Sequence, residues 1–98
     1  MKTLRPMSRL SDITTGHGCW APTVGITASV NVMVNGLPAH IVGDMFTPHT
    51  CGQDVHGDIA VQGAAKVIIN GKPAMRLGDT LAPGAARMAE ASWDVFAA

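Results

Sequence analysis

The chain has four histidines and two cysteines, and four of these six side chains fall at repeated distances. His17 lies five residues after Asp12 and His49 five after Asp44, while Cys19 and Cys51 each lie seven after the same aspartates. His56 follows Asp44 by twelve. Neutral imidazole nitrogens and thiolate sulfurs are the donors of a tetrahedral Zn2+ site, with bonds of roughly 2.0–2.3 Å, and a mixture of the two favours zinc over iron. Coincident placement of a histidine and a cysteine in two loops argues for a shared site rather than two ordinary loop histidines. Spacing alone leaves the shell open, because His17, Cys19, His40, His49, Cys51 and His56 compete for four positions. Asp54 and Asp58 flank His56, either as acceptors that orient a ligating imidazole or as solvated turn carboxylates.

Two other zinc chemistries fit the residues less well. A zinc hydrolase needs an open coordination position and a nearby carboxylate base, yet the histidines stand in no HExxH-like motif and the one glutamate is Glu90. A zinc-ribbon adaptor needs paired CxxC knuckles, and neither cysteine has such a neighbour. A closed structural site is the expectation.

The elements that must bring these donors together are written in an internal repeat. Residues 30–44 and 65–79 align at Val32/Val67, Asn35/Asn70, Gly36/Gly71, Pro38/Pro73, Ala39/Ala74, Gly43/Gly78 and Asp44/Asp79. Each copy is a β-branched run, an Asn-Gly pair that accepts the positive φ of a type I′ turn, and a second short run, which predicts a hairpin. A third copy is split between the ends of the chain. Pro6 to Asp12 repeats the six-residue Pro-to-Asp spacing, and Ala91–Phe96 aligns with Ala28–Met33 and Gly63–Ile68. Pairing of the two ends closes three units about a pseudo-threefold axis and leaves few open strand edges. In that arrangement the loops after Asp12, Asp44 and Asp79 converge at one end, and the third offers only Gly84 and Ala86 where the others have histidine and cysteine. His40 shares alternation parity with Val42 and should point inward with its counterparts Ser8 and Met75, as a hydrogen-bonded interior histidine. The three aspartates should end strands by accepting local backbone amides. Residues 85–90 are undecided between a helical turn and a loop.

The repeated VxVNGxPAxxxGD unit and the histidine-bearing loops resemble the PAAR-repeat proteins over roughly residues 5–96, and Thr15–Pro22 (TGHGCWAP) is similar to the first loop of their phage-type members. The word Pro83-Gly84-Ala85-Ala86-Arg87 has no Gly-Asp after it and belongs to a loop. The resemblance implies an all-β fold: a small cone of short hairpins, a single domain over residues 1–98, with a metal near the tip. It implies three histidines and one cysteine around that metal, which position by position are His17, His49, Cys51 and His56, with Cys19 or His40 as possible replacements. It also implies a structural rather than enzymatic role, as the tip of the spike in type VI secretion systems and phage-like contractile tails. The partner would be a trimeric β-helical spike protein of the VgrG or phage type, one copy per trimer, with any effector proteins as separate chains.

Composition agrees with a folded, weakly charged protein. Hydrophobic residues make up 47% and charged residues 14%, too apolar for a disordered chain, and a core of this size gains from a metal or a partner. Seven basic and seven acidic residues are scattered, so no stripe tracks a phosphate backbone and nucleic acid is not an expected partner. No apolar run is long enough for stable membrane insertion, and MKTLRPMSRLSD lacks an apolar export segment, which places the expected protein in the bacterial cytoplasm before firing, or on a virion tail.

Overall fold

The computed structural model describes residues 4–84 and 86–98. It is all-β, with ten strands of two or three residues paired into five two-stranded antiparallel sheets, and has no helix among the described residues. Two of the sheets are the expected hairpins: β2 (Met33–Val34) with β3 (Leu37–Pro38), and β7 (Ile68–Ile69) with β8 (Lys72–Pro73). At their turns Asn35 and Asn70 have φ of 54° and 52°, and Gly36 and Gly71 have 79° and 80°, as a type I′ turn requires. The third is the pairing of β1 (Arg5–Pro6) with β10 (Phe96–Ala97), so the two ends of the chain stand where the third turn would be, and a further sheet pairs β6 (Ile59–Ala60) with β9 (Leu81–Ala82).

Hydrogen bonds make the pseudo-threefold explicit. The N–H of Ser8 donates to the carbonyl of Met75, Met75 to His40, and His40 to Ser8, at 2.9, 2.9 and 3.0 Å, closing a ring through the three units. A second ring runs from Leu10 to Pro38, Val42 to Pro73 and Leu77 to Pro6 at 2.8–2.9 Å. Bridges between Met7 and Arg76, Arg9 and Ala39, and Ile41 and Ala74 repeat the same relation. Each arm therefore satisfies its backbone on the next unit, which is how strands this short avoid orphaned buried amides.

Alternation puts every second side chain inside. Val34, Ile69 and Ala97 are buried with Met7, Ala39, Ala74 and Ala64 in one cluster, against which Val32, Val67 and Val95 pack. Met33, Ile68 and Phe96, one residue earlier on each arm, face out. Ser8, His40 and Met75 form the next buried layer, and Phe46, Leu81 and Met88 the one beyond it toward the loops. Residues 86–90 form no helical turn, and Arg87 and Met88 are bridged to Thr80 and Thr14. Ala85, which opens the segment left undecided above and lies within the Pro83–Arg87 word, is outside the described residues.

The repeat is also imperfect in a way the contacts explain. Asn70 at one turn donates to Ser29 Oγ and Asn31 Oδ1 of the neighbouring unit, and Asn35 at the other donates to Asp94 and accepts from Ser92. The third equivalent of Ser29 and Ser92 is Ala64, and there the facing turn is replaced by the chain ends, with Lys66 N–H donating to the carbonyl of Ala98 at 3.0 Å. A serine is kept where an asparagine meets it and lost where none does.

The three aspartates do what their position suggests. Asp12, Asp44 and Asp79 each accept the backbone N–H three residues earlier, from Arg9, Ile41 and Arg76, at 2.8, 2.7 and 2.8 Å. Arg9 and Arg76 also pair with their aspartates through the guanidinium, and the hydrogen bond to Asp12 raises the pKa of Arg9. Asp44 has Ile41 in place of arginine; burial raises its pKa against the opposing bonds from Ile41 N–H and Thr27 Oγ1.

Candidate metal centre

Three loops leave the body after the aspartates. The first folds back tightly at Gly18-Cys19, with His17 and Trp20 exchanging both backbone hydrogen bonds at 3.0 and 2.8 Å. The second makes a hairpin that the repeat does not contain: β4 (His49–Cys51) pairs with β5 (Asp54–His56) across Gly52-Gln53, so that His49 stands directly opposite His56. Gly52 supplies the positive φ, 64°, that the turn needs.

These two loops bring three imidazoles to one point. Nε2 of His17 lies 3.2 Å from that of His49 and 3.1 Å from that of His56, and the last two are 2.9 Å apart. Asp58 completes the group, its Oδ2 3.4 Å from His49 and 3.7 Å from His17, and its Oδ1 3.4 Å from His56. Four donors on bonds of about 2.05 Å at tetrahedral angles stand about 3.3 Å apart, so the spacings seen, 2.9–3.7 Å, are those of a tetrahedral shell.

Protonation fits the same use. His49 Nδ1 is 2.6 Å from the carbonyl of Ala21 and can only donate to it, so in the neutral ring the lone pair sits on Nε2, facing the other two rings. An imidazole whose far nitrogen is tied to a carbonyl is the usual form of a metal ligand. Trp20 covers the cluster, its ring centroid 4.0 Å from His56, 5.2 Å from His49 and 5.6 Å from His17.

The third loop contributes space and a donor instead of a ligand. Gly84 holds the position equivalent to His17 and His49, and a methyl group there would collide with the His17 ring. Its N–H donates to Asp58 Oδ1 at 3.2 Å. Asp58 was identified from the sequence only as a neighbour of His56; nothing in the spacing distinguished it from Asp54, which is exposed beside the turn and outside the cluster.

Of the four residues the resemblance implied as ligands, His17, His49 and His56 converge and Cys51 does not join them. Cys51 is paired with Cys19 in a disulfide, Cα atoms 5.6 Å apart. Cys51 therefore stands apart from the three imidazoles in this structure: the two +7 positions lie on adjoining loops, so their sulfurs meet each other. The bond closes 32 residues, a constraint worth roughly 3–4 kcal/mol in the chain-entropy account, and it ties the loop of His17 to that of His49. His40 is likewise outside the cluster. It is fully buried, Nδ1 2.6 Å from Ser8 Oγ, its ring against Phe46, and Gly25 leaves room for its unpartnered Nε2. Burial pushes its pKa down to about 4, against a smaller upward pull from Asp12.

The family model of the PAAR motif matches residues 12–89. No curated protein matches the chain.

Proposed function

Because the chain belongs to the PAAR-motif family, whose members are structural spike-tip proteins of contractile injection systems and not enzymes, we propose that it caps one trimeric β-helical spike and leads it through the target envelope. The observation that carries this reading is the blunt end of the cone. Around the hydrogen-bonded rings, each unit presents the same outward pattern: Val30, Ala65 and Trp93 at one position, Met33, Ile68 and Phe96 at another. Val30 and Trp93 are 88% and 78% exposed, and the second triad is about half exposed. Three like apolar faces on one chain suit a partner with true threefold symmetry, and an apolar permanent interface suits a part that must stay attached under load.

The opposite end carries the donor cluster. A metal bound by His17, His49, His56 and a fourth donor would cross-link loops distant in sequence, and binding of zinc by small domains is worth on the order of 10 kcal/mol of folding free energy. Zinc suits the imidazole-rich set and needs no redox partner. In this reading the metal stiffens the point and performs no reaction. The protein moves outward with the spike, from the bacterial cytoplasm or on a virion tail, into oxidising surroundings in which its disulfide persists.

Mass measurement of the complex with the cognate spike tests the reading. One chain per spike trimer is expected, and Ile68→Glu should weaken the complex without changing metal content. Three chains per trimer, or no affinity for the spike, overturns it.

A further inference from the structure

We propose that Asp58, and not a cysteine, supplies the fourth ligand of the tip metal, so that the cysteines act only as a covalent clamp between the two ligand loops. The inference rests on the metal-held tip proposed above and concerns its donor set, which would differ from the three histidines and one cysteine implied by the family resemblance.

The thiols are both committed. Cys19 and Cys51 are joined, no cysteine is free, and a disulfide sulfur cannot offer the thiolate that binds zinc. The third loop has Gly84 and Ala86 at the positions that could have supplied another donor. Asp58 has what a ligand needs. Its side chain is 2% exposed, its oxygens stand 3.4–3.7 Å from the three Nε2 atoms, and among the described residues its only ion-pair contacts are those three imidazoles. A carboxylate so buried is costly unless a cation compensates it, and zinc accepts carboxylate oxygen beside imidazole nitrogen. Its orientation is held from outside the cluster: the Gly84 N–H binds Oδ1 and leaves Oδ2 facing His17 and His49. The third unit of the repeat, which has no donor side chain, thus takes part by fixing the carboxylate with its backbone.

Retention of the disulfide and binding of metal should therefore be separable. The full chain, loaded with Zn2+, is examined by X-ray absorption at the zinc edge, and its Co2+ form by optical absorption. A shell of nitrogen and oxygen alone, with no sulfur-to-cobalt charge transfer, is the expected result. In competition with a chelator, Asp58→Asn should weaken zinc binding by about ten- to a hundredfold or more. The Cys19→Ser, Cys51→Ser double variant should stay within a few-fold of the parent. A sulfur neighbour in the spectrum, or Asp58→Asn binding zinc as tightly as the parent, overturns the assignment while leaving the spike-tip role standing. Failure of the parent to bind any metal overturns both the assignment and the metal-held tip. The parent spectrum decides the matter even if a variant does not fold.

Discussion

Replacing His40 by methionine, the residue its repeat counterpart Met75 already uses, should remove the part of the acid destabilisation that His40 causes, about 3 kcal/mol at its limit. His40 is fully buried beside Ser8, Phe46 and Gly25, with Asp12 the charged group acting on it, and its pKa falls from 6.5 to about 4 on folding. Above pH 6.5 both folded and unfolded chains hold it neutral, so it contributes no pH dependence there. Between that value and about 4 the unfolded chain binds a proton that the folded chain refuses, so stability falls as pH falls, by about 1.4 kcal/mol per pH unit. The loss is about 2 kcal/mol at about pH 5 and levels off at about 3 kcal/mol below the folded pKa. His40→Met also strands the Ser8 hydroxyl, at a cost of about 1–3 kcal/mol that is the same at every pH. Acid also strips metal from the tip histidines and protonates Asp44, but both effects are common to parent and variant and cancel in their difference. Urea unfolding of the two proteins at several values between about pH 7.5 and 4.5 gives that difference directly. A gap between parent and variant that stays constant over this range would refute the argument, since it would mean that His40 is protonated alike in the folded and unfolded chains.

Two further outcomes follow from the imperfect repeats. Ser11 has φ of 85° at the position where the other units have Gly43 and Gly78, at 99° and 81°, so Ser11→Gly should raise stability by roughly 0.5–1 kcal/mol, read as a higher denaturant midpoint with an unchanged slope. Gly84→Ala, which removes no donor, should push the His17 ring aside and lower zinc affinity by about ten- to a hundredfold in chelator competition; unchanged affinity would mean that the third loop does not shape the site.

Much of the architecture was legible in the sequence because it depends on local chemistry repeated in order. Asn-Gly can take the positive φ of a hairpin turn, an aspartate can accept the amide three residues back, and alternation sends Val34, Ile69 and Ala97 inward while Met33, Ile68 and Phe96 face out. The split third unit could be inferred too, because Pro6 to Asp12 and Ala91–Phe96 repeat the spacing and pattern of the two arms of the other hairpins. His17 and His49 stood out by residue type and repeated spacing, while His56 joined them only through the family resemblance.

What only the tertiary structure decided is how groups far apart in the chain meet at the tip. Spacing from Asp44 put Cys51 and His49 in the same loop, but a cross-strand register of His49 with His56 turns the two imidazoles together and carries Cys51 to Cys19. Asp58 gains its place from the Gly84 amide 26 residues on, and Gly84 is needed because His17, 67 residues earlier, occupies the volume beside it. Repeat position determines which loop a residue belongs to. It does not determine which neighbour its side chain reaches, because that depends on distances of a few ångströms between loops, set by packing of the whole cone.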